Sequence, residues 1–125
     1  MGFKILLVED EEDLVDIIQS ELEYDVPNVS LDVAMMTSEI KEKLTQNQYD
    51  IIIADLTVPG STMEPVLSII ESLAPGASVI LFSGHADLLK DNKHEQVVGI
   101  IAKPFRSTDL IAKVKATLPA QKKFG

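Results

Sequence analysis

With 125 residues, 46% hydrophobic and 25% charged side chains, the chain reads as one globular domain with enough apolar material for a core and no disordered tract. Its formal charge of −9 argues against direct nucleic-acid binding, and the lack of cysteine excludes a disulfide frame or a thiolate metal site. The first apolar run meets acidic residues too soon for a secretory signal or a membrane span, and Leu6 stands where a myristoylation signal needs Ser or Thr, so a soluble, cytoplasmic protein is expected.

In chain order, Phe3–Val8 is a short, β-branched-rich run closed by Glu9 and Asp10. Leu14, Ile17, Ile18 and Leu22 then fall on one face of a helix. After a turn at Pro27-Asn28 comes a second strand, Val29–Ala34, and a helix carrying Met36, Ile40 and Leu44. The Met35-Met36 pair reads as packing material. The third strand, Asp50–Ala54, is closed by Asp55. Beyond the Pro59-Gly60 turn, Met63, Val66, Leu67, Ile70 and Leu73 define a helix with Pro65 in its first turn, where proline costs little.

Pro75-Gly76 marks the next turn, before the strand Ser78–Phe82. Between Gly84 and Gln96 only Ala86 and Leu89 suit an interior, which predicts a short or irregular helix. A last strand, Val97–Ala102, is closed by Lys103 and Pro104. The final helix carries Leu110, Ile111, Val114 and Leu118, starts near Ser107 or Thr108 as N-cap, and stops at Pro119. The one basic cluster, Lys113, Lys115, Lys122 and Lys123, suits a helix end and a solvated tail.

Strictly alternating strands and helices imply right-handed crossovers and a parallel sheet covered on both faces: a single α/β domain of five strands and five helices. Such sheets place their chemistry outside the carboxyl ends of the strands. Glu9, Asp10, Asp55 and Lys103 all stand at those ends, which points to a site for a divalent cation and a phosphoryl group. Residue by residue, plainer readings stay open. The acids Glu9 to Asp13 suit a helix N-terminus and Ser83-Gly84 suits an ordinary turn; Lys103 could be a surface cation, but between buried Ala102 and Pro104 it has limited room to be idle. His85 and His94 lack a partner at ligand spacing and read as a solvated loop residue and a helix-face residue.

Taken together, Lys4-Ile5-Leu6-Leu7-Val8-Glu9-Asp10-Glu11, Asp55-x-x-x-Pro59-Gly60, Phe82-Ser83-Gly84 and Lys103-Pro104-Phe105 resemble the receiver domain of bacterial two-component response regulators. The resemblance runs from Phe3 to about Leu118, which sets a receiver domain at 1–119 and a tail at 120–125. It implies a doubly wound, flavodoxin-like sheet of order 2-1-3-4-5. It also implies a phosphoacceptor at Asp55, Mg²⁺ held by Glu9, Asp10, Asp55 and the backbone carbonyl of Thr57, and a cis bond before Pro104. Lys103 would neutralise phosphoryl oxygens, and Ser83 would move to hydrogen-bond the new group. Thr57 and His85 occupy positions where family members tune the lifetime of the phosphoryl group.

Two departures touch the signalling face. Ile100 occupies the place of the aromatic switch partner of Ser83, and the interval from Ser83 to Lys103 is short. The expected function is phosphorelay signalling, with a histidine kinase or histidine phosphotransfer protein as donor and an unidentified protein downstream. The chain is expected to catalyse only its own phosphorylation and dephosphorylation, as a monomer or a phosphorylation-dependent dimer. With only Ala120 to Gly125 beyond the receiver, it would act by docking or relay if complete; an excised domain of a longer regulator fits equally. The alternatives are a receiver-like interaction module indifferent to phosphorylation, and an aspartyl-nucleophile phosphatase. The latter wants a second carboxylate where Thr57 stands.

Overall fold

The computed structural model describes residues 2–55, 63–83 and 95–118. Five strands, β1 (Phe3–Val8), β2 (Val29–Ala34), β3 (Ile51–Asp55), β4 (Ser78–Ser83) and β5 (Val97–Ala102), form one parallel sheet in the order β2-β1-β3-β4-β5. Four helices lie among the described residues: α1 (Glu12–Asp25), α2 (Thr37–Gln46), α3 (Met63–Leu73) and α4 (Ser107–Thr117). The helix expected between Gly84 and Gln96 falls largely outside the described residues, as do the Pro59-Gly60 turn, Pro119 and the tail.

The pleat sorts the strand residues into two cores. Ile5, Leu7, Ile51, Ile53, Ile80 and Phe82 face α1 and α4, whereas Leu6, Val8, Ile52, Ala54, Val79 and Leu81 face α2 and α3. Covering both faces of β1, β3 and β4 explains their near-continuous apolar runs. The turn ahead of β2 uses Asn28 at φ 62°, a conformation asparagine tolerates, and its carbonyl accepts the Phe3 N–H of β1 at 2.9 Å.

Several expected faces shift once the helices are placed. On α1 the buried set is Val15, Ile18 and Leu22, while Ile17 is 50% exposed. The apolar stripe is therefore narrower than the sequence spacing suggested, and rotated toward Val15. Met36 is exposed rather than packed, because it holds the N-cap position of α2, where Glu39 reaches back to accept the Met35 N–H at 2.7 Å. Leu73, in the last turn of α3, is also exposed. The expected N-cap of α4 is replaced by Arg106, because the Ser107 hydroxyl donates instead to Glu21 of α1 at 2.6 Å.

β5 departs furthest from a buried strand. Its ladder with β4 shifts register between Val79 and Ile80, so that Val97 pairs with Val79 but Gly99 pairs with Ile80, leaving Val98 as the extra residue of a bulge. Exposure then alternates along this edge strand, and Ala102, expected to be buried, is exposed. The Lys113 stem lies across Gly99 from α4, so a Cβ there would displace that flexible side chain.

A polar brace ties the far end of the sheet. The Tyr49 hydroxyl donates to Asp32 at 2.7 Å, Lys4 Nζ donates to Asn47 at 2.6 Å, and the same ammonium lies 5.5 Å from the Tyr49 ring centroid. Burial first, then the bond to Asp32, pushes the Tyr49 phenol above its ordinary 10.0. A raised pKa means that its stabilisation is complete below the unfolded value and is lost as pH climbs toward the folded one. Tyr49→Phe is expected to cost about 0.5–1.5 kcal/mol at neutral pH. The same change should flatten the loss of stability above about pH 10, both effects being read by urea denaturation.

Candidate functional site

The parallel ladders bring the strand ends level. Val8 pairs with Ala54, so Glu9 follows one strand as Asp55 ends the next, and Asp55 pairs with Phe82 on β4. Ser83 ends β4 in register with Ala102, and Lys103 follows that strand across a cis bond to Pro104. A cation from one strand end thereby reaches two carboxylates from two others. Lys103 Nζ donates to Asp55 Oδ2 at 2.7 Å and to Glu9 Oε1 at 2.9 Å.

Both carboxylates are withdrawn from water: Glu9 has no exposed surface, and Asp55 is 3% exposed. The second Glu9 oxygen, Oε2, accepts the backbone N–H groups of Asp10 and Glu11, each at 3.0 Å. Glu9 is thus not one of a row of acids flattering a helix. It folds back over the strand-to-helix turn, while Glu12 and Asp13 supply the acidic first turn of α1. Burial raises the Glu9 pKa above the usual 4.5, against the opposing pull of Lys103 and the Glu11 N–H. Burial alone would lower the pKa of Lys103, but its bonds and charge interactions with Asp55 and Glu9 outweigh that and hold it above 10.5.

Asp10 completes the anionic side. One oxygen from each of Glu9, Asp10 and Asp55 lies within 4.8 Å of the others, with Asp10 exposed at the mouth. This is a hard-oxygen donor set of the kind that takes a magnesium-sized cation while leaving room for water. On the other side of Lys103, the ring of Phe82 lies beneath the ammonium, 4.9 Å from Nζ to centroid, and meets the edge of Phe105 at 5.5 Å. An open cleft of about 370 Å³, lined by Glu11, Leu14, Lys103, Pro104 and Phe105, leads to the lysine.

Of the residues singled out from sequence, Glu9, Asp10, Asp55 and Lys103 converge here. Ser83 lies one residue beyond Phe82 at the same edge. Ile100 is 37% exposed on β5, two residues before the site-facing end of the strand. Thr57, His85 and His94 lie outside the described residues. What sequence reasoning missed is the aromatic floor: Phe82 passed as one more apolar residue of a buried strand. The signal was its place immediately before Ser83, in a strand otherwise closed by aliphatic side chains.

The chain matches the response regulator receiver domain family over residues 5–115, and it belongs to that family. Among curated proteins it is similar to the regulatory protein VanR of Enterococcus faecium, 29% identical over 99% of this chain and 53% of that one. It is also similar to the response regulator ArlR of Staphylococcus saprophyticus, 30% identical over 94% of this chain and 53% of that one. The chain therefore spans about half the length of the curated relatives it matches. Among solved structures, the response regulator TrrA of Thermotoga maritima in complex with Mg²⁺–BeF is 26% identical, with a TM-score of 0.79 over 93% of this chain and 99% of that one.

Proposed function

We propose that this chain is a phospho-accepting switch in which Asp55 takes a phosphoryl group from the phosphohistidine of a histidine kinase or histidine phosphotransfer protein. The observation that carries the reading is the placement of Lys103 Nζ within hydrogen-bond distance of both Glu9 and Asp55, with Asp10 alongside. Phosphoryl transfer needs little covalent help and depends on position and charge neutralisation. An Asp55 carboxylate oxygen attacks phosphorus as the P–N bond to the imidazole breaks, giving an acyl phosphate and a neutral imidazole once that nitrogen is protonated.

Glu9, Asp10 and Asp55, with the Thr57 carbonyl, are proposed to hold Mg²⁺, which when bound offsets negative charge on the phosphoryl oxygens. The fit rests on the three carboxylates gathered there, and the related TrrA was solved with Mg²⁺–BeF. Lys103 supplies a compact positive charge from the opposite side, exchanging its bond to Asp55 Oδ2 for one to the phosphoryl group. The Ser83 hydroxyl is proposed to follow the new group, and Thr57 and His85 to set how long it persists. Because Ile100 lacks an aromatic ring, any switch through that position differs from the family's usual aromatic movement. The protein is read as a cytoplasmic monomer or phosphorylation-dependent dimer that passes the signal to a protein partner and has no turnover beyond its own phosphorylation cycle.

Incubation with acetyl phosphate and Mg²⁺ is expected to add one phosphoryl mass to the intact protein, an adduct lost on chelation and in Asp55→Asn. An intact mass unchanged under all these conditions would remove the acceptor role.

A further inference from the structure

We infer that Phe82 is a positioning residue for Lys103, its ring face holding the ammonium in place between Glu9 and Asp55. The inference rests on the phospho-acceptor reading for its effect on chemistry, but the contact itself does not. Phe82 is fully buried, stands in register with Asp55, and lies 4.9 Å below the lysine nitrogen, inside the range where a ring face attracts a cation.

Its neighbours lock that arrangement. Phe105 packs edge-on against Phe82 at 5.5 Å and 67°, and Phe105 follows Lys103 by two residues across the cis Lys103–Pro104 bond. The loop that carries the lysine thus also fixes the ring on which the lysine rests. Edge-to-face packing sets ring orientation as well as filling space.

A ring suits this task better than another acid. A third carboxylate would compete for the positive charge and add to the repulsion within the cluster. An aliphatic side chain would exclude water equally well but would exert no pull on the ammonium. The ring does both, and its attraction persists when the lysine's anionic partner changes from a carboxylate to a phosphoryl oxygen. With water excluded on that side, the lysine charge also acts through a less polarisable medium.

The test separates ring electrostatics from shape. Phenylalanine with one, two or three ring fluorines, placed at position 82 alone, weakens the negative face with little change in volume. The initial rate of acetyl phosphate-driven phosphorylation is expected to fall stepwise, by about three- to tenfold across the series. In parallel, NMR of the metal-free protein is expected to show a ring-current-shifted Lys103 ammonium signal that returns to ordinary values in Phe82→Leu. A flat rate across the fluorinated series overturns the positioning role, even with a shifted lysine signal. An unshifted signal in the native protein overturns the contact itself. If the native protein takes up no phosphoryl group, the acceptor reading fails, and the lysine signal alone decides whether the ring holds the ammonium.

Discussion

Lys103→Ala is expected to destabilise the metal-free protein by about 3–5 kcal/mol at neutral pH, the range for removing one partner of a buried ion pair. The lysine is the only cation within bonding distance of Glu9 and Asp55 among the described residues. Its loss removes the ammonium that two buried carboxylates share, and their repulsion then favours taking up a proton or drawing in water. Adding Asp55→Asn should recover part of the loss, because the repulsion between the two acids disappears with it. A double-mutant cycle is expected to show a coupling of about 0.5–3 kcal/mol between the two sites.

The pH dependence has a fixed sign. Lys103 has a raised pKa, so its stabilisation is fully present below the unfolded value near 10.5 and fades as pH climbs through the folded one. The gap between native protein and variant should therefore narrow in strongly alkaline buffer, as the lysine loses its proton. Urea denaturation curves across pH provide the measurement. A neutral-pH loss below about 1 kcal/mol would mark the lysine as an ordinary surface cation.

Much of this arrangement could be read from the residues because the strands advertise themselves. Ile5 to Val8 and Ile51 to Ala54 are apolar on both faces, as a strand covered on both sides must be, and each meets an acid at its end. That pattern located Glu9, Asp10 and Asp55 at one edge before any distance was known. Lys103 came by the same logic, although β5 is an edge strand with a bulge at Val98 and neither Ala102 nor Pro104 is buried. The strand itself was legible and its environment was not, since a short apolar run looks alike at the centre and at the border of a sheet.

The helix faces were harder for a related reason. Ile17 and Ile18 are adjacent apolar residues, and period alone does not say which one the sheet claims. Packing against the sheet and α4 decides it, turning Val15, Ile18 and Leu22 inward and Ile17 out. Ser107 looks like a cap in sequence, but its hydroxyl has another partner, Glu21, far away along the chain. The same limit hid the aromatic floor. The meeting of Phe82, Lys103 and Phe105 depends on β4 and β5 lying side by side, which no local window contains.

Magnesium should stabilise the folded chain, by about 2.7 kcal/mol at a free concentration one hundred times its dissociation constant, and the effect should weaken as the solution is acidified. Without metal, Glu9 holds its proton more tightly than an unfolded glutamate would. Its stabilising contribution is therefore complete below 4.5 and is lost as pH rises through the folded value. A bound cation reverses that preference, since it favours the ionised carboxylates and binding releases protons. The magnesium-induced shift in the unfolding midpoint should consequently grow with pH over the same window.

The three acids should not contribute alike. Asp10 is exposed at the mouth of the cluster, and Asp10→Asn is expected to abolish most of the magnesium shift. Both oxygens of Glu9 are already hydrogen-bonded, to Lys103 on one side and to the Asp10 and Glu11 N–H groups on the other. Glu9 thus contributes its charge more than a free lone pair. Glu9→Gln should lower magnesium affinity less than Asp10→Asn does, while destabilising the metal-free fold, because an amide nitrogen must then face a donor on one side or the other. Thermal midpoints with and without saturating magnesium, measured at several pH values, separate these expectations. A shift that Asp10→Asn leaves intact, or one that ignores pH, would place the cation somewhere other than among these oxygens.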